Sequence, residues 1–346
     1  MKGSRCRSDV SRAELPKHGI DGLESRIDRD LPNRDLALKL VEEALLIAGS
    51  GLEKLDLKIV NATLAELNHA FALFSPYRDT RKVTIFGSAR TLSDEPSYLM
   101  AKEVAGKFAD QGWMVVTGGG PGIMAAGMSG AGSRNAFGIN IRLPFEAPFV
   151  EPDGETKLIE MKYFFTRKLM LMKESDAFIS FPGGLGTLDE TFELLTLMQT
   201  GKAQLAPLVL VDPAGFGYWD ALDHFLKSQT LARGLVSEED LGLYRILHSI
   251  EETVDEVTGF YSNYDSLRWV GSRLILRLKE PLDESKLDEL NSEFSDIITS
   301  GRIRTVPASP QEIADQDRVE LPRISLLFNR RSYGRLRLLI DRISAR

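Results

Sequence analysis

The sequence predicts an α/β protein with a doubly wound parallel sheet at its centre. Three observations predict it. Between about residues 80 and 260, short apolar runs alternate with longer stretches whose apolar residues recur every three or four positions. The short runs are apolar almost throughout, which is typical of parallel strands covered by helices on both faces. Glycine clusters also follow several of these runs, where such sheets bind ligands.

The elements of this core follow in a regular order. Strands are predicted over 82–88, 113–119, 137–143, 176–181 and 207–212, and helices over 98–110, 122–133, from Thr166 onward, and over 187–200. This alternation predicts a Rossmann-like core over residues 80–262.

Two segments precede the core. Residues 1–33 are polar, charged and without period, and we predict a mobile tail there. Residues 34–79 form the second segment, a predicted helical extension. Apolar residues recur at helical spacing along it, with an interruption at Gly49-Ser-Gly51, so we expect an amphipathic helical pair.

A small α+β appendage is predicted over 263–346. We expect one strand over 267–280, a helix over 283–299, two further strands and a final helix. The last stretch, NRRSYGRLRLLIDRISAR, is rich in arginine. It predicts a solvated helix face, with a binding patch for an anionic effector as the alternative.

Composition and charge argue against several classes of protein. A net charge of −7 argues against a general nucleic-acid binder. The single cysteine, Cys6, cannot form an internal disulfide, which fits a reducing cytoplasm. The N-terminus lacks the apolar segment of a secretory signal, and no run reaches the roughly 18 apolar residues of a membrane span. We expect a cytoplasmic protein without a membrane partner.

Three glycine-containing loops are candidate phosphate sites. They are Gly87-Ser88, Gly118 to Gly122, and Gly183 to Thr187. Each lies at or just after the end of a predicted strand, where helix N-termini present free amides and a positive dipole. Together they predict a nucleotide or sugar phosphate as ligand.

Two common cofactors do not fit these loops. Ile123 stands where the dinucleotide fingerprint needs glycine or alanine, which argues against NAD. The Gly-Lys pairs lack the following serine or threonine of an ATP-binding loop. The four histidines are scattered, so no metal site is expected.

Glu190 admits two interpretations. Thr187-Leu-Asp-Glu190 matches a capping box, in which Glu190 would bond back to the first turn of its helix. Alternatively, Glu190 and the upstream Arg167 suit cleavage of an N-glycosidic bond, because a carboxylate stabilises the oxocarbenium-like charge that develops at the sugar. The residues alone leave both open.

The core resembles the LOG family, the cytokinin riboside 5′-monophosphate phosphoribohydrolases and their bacterial relatives. The likeness rests on P-G-G-x-G-T-x-x-E at Pro182–Glu190, on T-G-G-G-P-G-I-M at Thr117–Met124, and on the pair Arg167-Lys168. It covers roughly residues 80–260. Two departures stand out: the histidine that often precedes the Arg-Lys pair is missing from Phe164-Phe-Thr, and Asp189 replaces a glutamate. The first departure could alter base specificity.

The resemblance implies an enzyme. It implies hydrolysis of a nucleoside 5′-monophosphate, such as AMP, to free base and ribose 5-phosphate without metal or cofactor, by a homodimer or larger assembly. Arg167 and Glu190 would be catalytic. The implied substrate-binding residues are Gly87, Ser88, Gly119, Gly120, Gly122, Lys168, Gly183, Gly184, Gly186 and Thr187.

Two other functions remain open. A non-catalytic nucleotide carrier or sensor could use the same phosphate cradle. An enzyme acting on a pyrimidine nucleotide or on a modified adenine nucleotide is the other alternative.

Overall fold

The computed structural model describes residues 27–142 and 157–344. Most of the tail predicted over 1–33, and the last residue of the strand predicted over 137–143, lie outside these residues. The chain divides into two compact units, Met1–Asn68 and His69–Arg346. No helix within the described residues is both long enough and apolar enough to cross a membrane.

The described part of the first unit is helical. Helix α1 spans Arg34–Gly49, and helix α2 begins at Lys54 and ends at Phe74, inside the second unit. Between them Gly51 adopts a φ of 68°, a backbone conformation that suits glycine. The predicted helical pair and its interruption are confirmed.

The second unit contains a seven-stranded parallel sheet. Its strands are β1 Lys82–Phe86, β2 Met114–Thr117, β3 Ala136–Ile141, β4 Lys157–Met161, β5 Ala177–Ser180, β6 Leu208–Val211 and β7 Arg245–Leu247. Its helices are α3 Pro96–Asp110, α4 Ile123–Ala131, α5 Phe164–Lys173, α6 Leu185–Gln199, α7 Tyr218–Phe225 and α8 Ile250–Phe260. The strand order is β4-β3-β2-β1-β5-β6-β7, so the direction of winding reverses between β1 and β5. In doubly wound sheets ligands bind at this reversal, outside the carboxyl ends of the strands.

The central strands were predicted correctly from the sequence, and both edge strands were missed. Strands β1, β2, β3, β5 and β6 are buried at every position. The edge strands β4 and β7 are only partly buried, so they lack the continuous apolar run that marks the central strands. A half-exposed strand of three to five residues gives little periodic signal.

A second, antiparallel sheet lies toward the C-terminus. Its strands β8 Tyr264–Val270, β9 Arg273–Leu278, β10 Arg304–Thr305 and β11 Arg323–Leu326 have the order β10-β11-β9-β8. Helices α9 Glu284–Glu293, α10 Pro310–Ala314 and α11 Tyr333–Ser344 accompany them. The single strand expected over 267–280 is wrong: β8 and β9 form a hairpin that turns at Gly271, where φ is 60°.

The arginines of α11 are paired with acids. Arg337 is buried and contacts Glu256 and Asp341. Arg335 binds Asp296 at 3.0 Å, and Arg342 binds Glu293 at 3.1 Å. The expected solvated face is therefore wrong at Arg337. For these three arginines the alternative, a patch for an anionic effector, is disfavoured, because acids of the chain already hold their guanidinium groups.

A buried ion cluster joins α10 to the second sheet. Arg277 Nη2 and Arg323 Nη1 both bind Oε1 of Glu312, at 2.9 and 2.8 Å, and all three residues are buried. Burial alone would raise the pKa of Glu312. Hydrogen bonds from Ser309 and Arg277 outweigh it and hold the pKa at about 2.

Replacing Glu312 by glutamine is expected to destabilise the protein by about 3–5 kcal/mol, because it leaves Arg323 buried without a carboxylate and Arg277 with Asp317 alone. Denaturation in urea measures the change. Because the folded pKa of Glu312 lies below the ordinary 4.5, its contribution is present above pH 4.5 and is lost as the pH falls toward 2.

The matched control is Asp288→Asn. Asp288 forms an exposed pair with Arg302 at 2.7 Å, and its loss is expected to cost at most about 1 kcal/mol. Equal losses in the two variants would contradict a special role for the buried cluster.

Candidate active site

Three loops meet at the carboxyl edge of the sheet, beside the reversal in strand order. The amide of Ser88, after β1, donates to the carbonyl of Pro182, after β5, at 3.2 Å. The amide of Ile123, after β2, donates to the carbonyl of Ser88 at 3.0 Å. The backbone of Ser88 therefore links all three predicted loops.

Gly122 makes this junction possible. Its φ is 65°, and a Cβ there would lie 2.2 Å from the carbonyl oxygen of Ser88. Any other side chain would push apart the loops that follow β1 and β2. The glycine was predicted from the loop motif, and the close approach gives its physical reason.

The N-terminus of α6 presents free amides. The helix begins at Leu185 with Gly184 as its cap residue, and no side chain caps it. The first amides of a helix have no intrahelical acceptor. Here Gly184, Leu185 and Gly186 are exposed, so an anion can reach them.

The capping interpretation of Glu190 is wrong. It required Thr187 to be the cap residue, but the cap residue is Gly184 and the helix starts at Leu185. Thr187 is therefore the third helical residue, and Glu190 lies in the second turn. The carboxylate of Glu190 does not bond back to the first turn. It binds Arg167 instead.

Arg167 and Glu190 form a buried ion pair. Nη1 of Arg167, on α5, lies 3.0 Å from Oε1 of Glu190, on α6. Arg167 is 8% exposed and Glu190 7% exposed. The pair lies one helical turn beyond Thr187, so it stands next to the free amides of α6.

Glu190 takes up a proton more easily than an exposed glutamate does. Burial raises the pKa of Glu190 above its ordinary value of 4.5, and the charge of Arg167 opposes that rise. Arg167 thereby helps to keep the carboxylate ionised in a site that is shielded from water.

Two backbone features that hold Arg167 were not assigned from the sequence. Nε of Arg167 donates to the carbonyl of Ile139, at 2.8 Å. Gly118 makes room for the guanidinium group, since a Cβ there would lie 2.0 Å from Nη2. The TGGG motif did include Gly118. The hydrogen bond to Ile139 could not be predicted, because any residue type at that position offers the same backbone carbonyl.

Lys168 does not bind Glu190; it binds two other carboxylates. Its Nζ lies 2.9 Å from Asp189 and also binds Glu193. Burial lowers the pKa of Lys168, but the hydrogen bonds to Glu193 and Asp189 outweigh it and raise the pKa above 10.5. Its predicted role in substrate binding stays a prediction.

The remaining predicted residues lie within the loops. Gly87 packs against the side chain of Ile123, Gly119 against Asn140 and Gly138, and Gly120 is buried. Gly183 packs against Thr187. Within residues 27–142 and 157–344, no cluster of three or more His, Cys, Asp or Glu side chains could hold a metal ion.

Comparison with known proteins identifies relatives of the core. Residues 121–257 match a family model described as possible lysine decarboxylase. A cytokinin riboside 5′-monophosphate phosphoribohydrolase of Mycobacterium tuberculosis is 30% identical over 159 residues, 45% of this chain and 82% of the relative. A probable enzyme of the same name from Arabidopsis thaliana is 35% identical over 132 residues, 37% of this chain and 61% of the relative.

A solved structure is also similar. It is the molybdenum cofactor binding protein of Rippkaea orientalis, with 21% identity and a TM-score of 0.36, covering 52% of this chain and 96% of that one. A likeness at this score does not bear on function.

Proposed function

The chain belongs to the LOG family of phosphoribohydrolases, and from this premise we propose that it hydrolyses nucleoside 5′-monophosphates. The products would be the free base and ribose 5-phosphate. AMP is the substrate we place first, with cytokinin riboside 5′-monophosphates, which the names of the relatives specify, as the other candidates.

The buried pair Arg167–Glu190 beside the open amides of α6 carries the proposal. The amides of Gly184 to Thr187 suit the 5′-phosphate, because they combine free N–H groups with the positive end of a helix. Glu190 lies one turn further along the same helix, about 5 Å along its axis, which is roughly the reach from a 5′-phosphate to its ribose ring. Phosphate binding would thus direct the sugar toward the carboxylate.

The chemistry requires a negative charge close to the sugar. As the bond between C1′ and the base nitrogen breaks, its electron pair leaves with the base, and C1′ becomes oxocarbenium-like. The carboxylate of Glu190 stabilises that charge or takes a proton from the attacking water. The water oxygen bonds to C1′, and its proton is finally taken up by the base. Arg167 orients Glu190 and keeps it ionised.

We do not extend the lysine decarboxylase description to this chain. A lysine that forms a Schiff base must reach its neutral form. Lys168, the lysine next to Arg167 in sequence, is instead held between two carboxylates, and its raised pKa keeps it charged.

The homodimer or larger assembly implied by the family stays a proposal. Exposed apolar side chains on α5 and at the start of α6 offer a face on which a second copy would pack. They are Phe164, Phe165, Leu169 and Leu185.

The function is tested by incubating the purified protein with AMP, GMP, CMP, UMP and a cytokinin riboside 5′-monophosphate. Chromatography measures the free base and ribose 5-phosphate. Release of both in equal amounts from at least one nucleotide supports the proposal, and the rates rank the bases. Adenosine serves as the control, because it lacks the phosphate and is expected to react far more slowly.

The pH dependence of hydrolysis is expected to reflect Glu190. The active form is the carboxylate, and burial raises its pKa, so kcat/KM is expected to fall on the acid side with an apparent pKa above 4.5. Rates measured across pH test this, with circular dichroism at each pH to detect unfolding. An acid limb at or below 4.5 in folded protein would contradict the assignment.

A further inference from the structure

Tyr218 contacts the glycine loop Gly183 to Thr187, although it was not among the residues predicted for the site. It is the first residue of α7, and its hydroxyl donates to the carbonyl of Gly183 at 2.7 Å. Nothing in the sequence motifs marks this tyrosine. The contact connects the segment that follows β6 to the glycine loop that follows β5.

The start of α7 is firmly anchored. Asp212, fully buried at the end of β6, accepts a hydrogen bond from the amide of Trp219 at 3.1 Å. The indole of Trp219 donates to the carbonyl of Val211 at 3.3 Å and is fully buried. The ring of Tyr218 packs edge-on against this indole, with centroids 4.8 Å apart. These contacts hold the hydroxyl of Tyr218 in a fixed position.

The hydrogen bond determines how one peptide group is oriented. The described residues contain no cis peptide bond, so the carbonyl of Gly183 and the amide N–H of Gly184 point in opposite directions. Tyr218 holds the carbonyl from the side of β6. The N–H of Gly184 is then directed away from the hydroxyl of Tyr218.

We propose that Tyr218 is a positioning residue for the phosphate: it fixes the Gly183–Gly184 peptide so that the amide of Gly184 can bind the phosphate of the substrate. This inference rests on the proposed function. Among the described residues the amide of Gly184 donates to no acceptor. Gly184 is exposed, and a Cβ there would have no neighbour within 4 Å, so packing at this position does not restrain it.

Two glycines in succession make the restraint necessary. Glycine accepts most backbone conformations, so a Gly-Gly peptide can rotate at little steric cost. If it rotated, the carbonyl of Gly183 would face the phosphate and repel it. The donated hydrogen bond opposes this rotation and also polarises the peptide, which strengthens the N–H as a donor.

The test replaces Tyr218 by phenylalanine, which keeps the ring and removes the hydroxyl. Calorimetry then measures the binding of ribose 5-phosphate and of adenine separately. We expect the dissociation constant for ribose 5-phosphate to rise about tenfold, as for the loss of one hydrogen bond, and that for adenine to stay unchanged. The KM for AMP is expected to rise more than kcat falls.

Tyr244→Phe is the matched control. The hydroxyl of Tyr244 donates to Asp223, on the same helix α7, at 2.8 Å, away from the glycine loop. Its removal deletes a comparable hydrogen bond, and we expect both binding constants to stay at the wild-type values.

The outcomes separate this inference from the proposed function. Unchanged ribose 5-phosphate binding in Tyr218→Phe, or equal weakening of ribose 5-phosphate and adenine, would overturn the role of Tyr218 even if the wild type hydrolyses AMP. If the wild type binds ribose 5-phosphate without hydrolysing any nucleotide, the proposed function fails while the binding comparison still decides the role of Tyr218. No wild-type affinity for ribose 5-phosphate would overturn the role of Tyr218, while release of adenine from AMP would still decide the proposed function.

Discussion

Glu190→Gln is expected to reduce turnover of the nucleotide about 10²–10⁴-fold while leaving its binding nearly unchanged. Glutamine keeps the shape of the side chain and can still contact Arg167, but it carries no charge. It can neither stabilise an oxocarbenium-like sugar nor accept a proton from water. The measurement is kcat for AMP together with the dissociation constant of AMP, taken for the wild type and the variant.

The control for this variant is Glu160→Gln. Glu160 lies on β4 and also binds an arginine, Arg142, at 2.6 Å, but that pair is exposed. Its loss is expected to leave kcat within about twofold. Near-normal turnover in Glu190→Gln would remove Glu190 from the mechanism. Lost nucleotide binding in that variant would instead indicate a structural role.

Arg167→Ala is expected to lower kcat/KM about 10²–10³-fold, the usual effect of removing one preorganised electrostatic group. The guanidinium group opposes the effect of burial on Glu190. Without it the pKa of Glu190 is expected to rise further, so the acid limb of the pH profile moves to higher pH. A rate profile across pH measures both effects.

A double variant shows whether the two residues act as a unit. If Arg167 acts mainly through Glu190, Arg167→Ala combined with Glu190→Gln is expected to be no slower than Glu190→Gln alone. Arg142→Ala, which removes the arginine of the exposed pair, controls for loss of an arginine in general. Fully additive losses, or an acid limb that does not move, would contradict the coupling.

The fold was predictable where burial is complete. Strands such as β1 and β5 are buried on both faces, so most of their residues are apolar and the pattern is clear. Strand β7 is three half-buried residues at the sheet edge and gave no comparable pattern. The hairpin of β8 and β9 was missed because Gly271 interrupts an otherwise continuous strand-like run by a single tight turn.

Site residues could be predicted where the interaction is made by their side chains. Arg167 and Glu190 were singled out from the sequence, and the structure places them in contact. The exact start of α6 was not predictable, and the observed cap at Gly184 instead of Thr187 decided against the capping box. Contacts to backbone carbonyls, from Arg167 to Ile139 and from Tyr218 to Gly183, depend on tertiary structure alone.

The most direct measurement is the incubation of the pure protein with AMP, alongside Glu190→Gln, with adenine and ribose 5-phosphate quantified over time. The wild type is expected to release both products in equal amounts, whereas the variant is expected to bind AMP but release almost none. AMP and the other nucleotides staying intact in the presence of wild-type protein that binds them would contradict it. The glycine loops would then serve a nucleotide carrier or sensor.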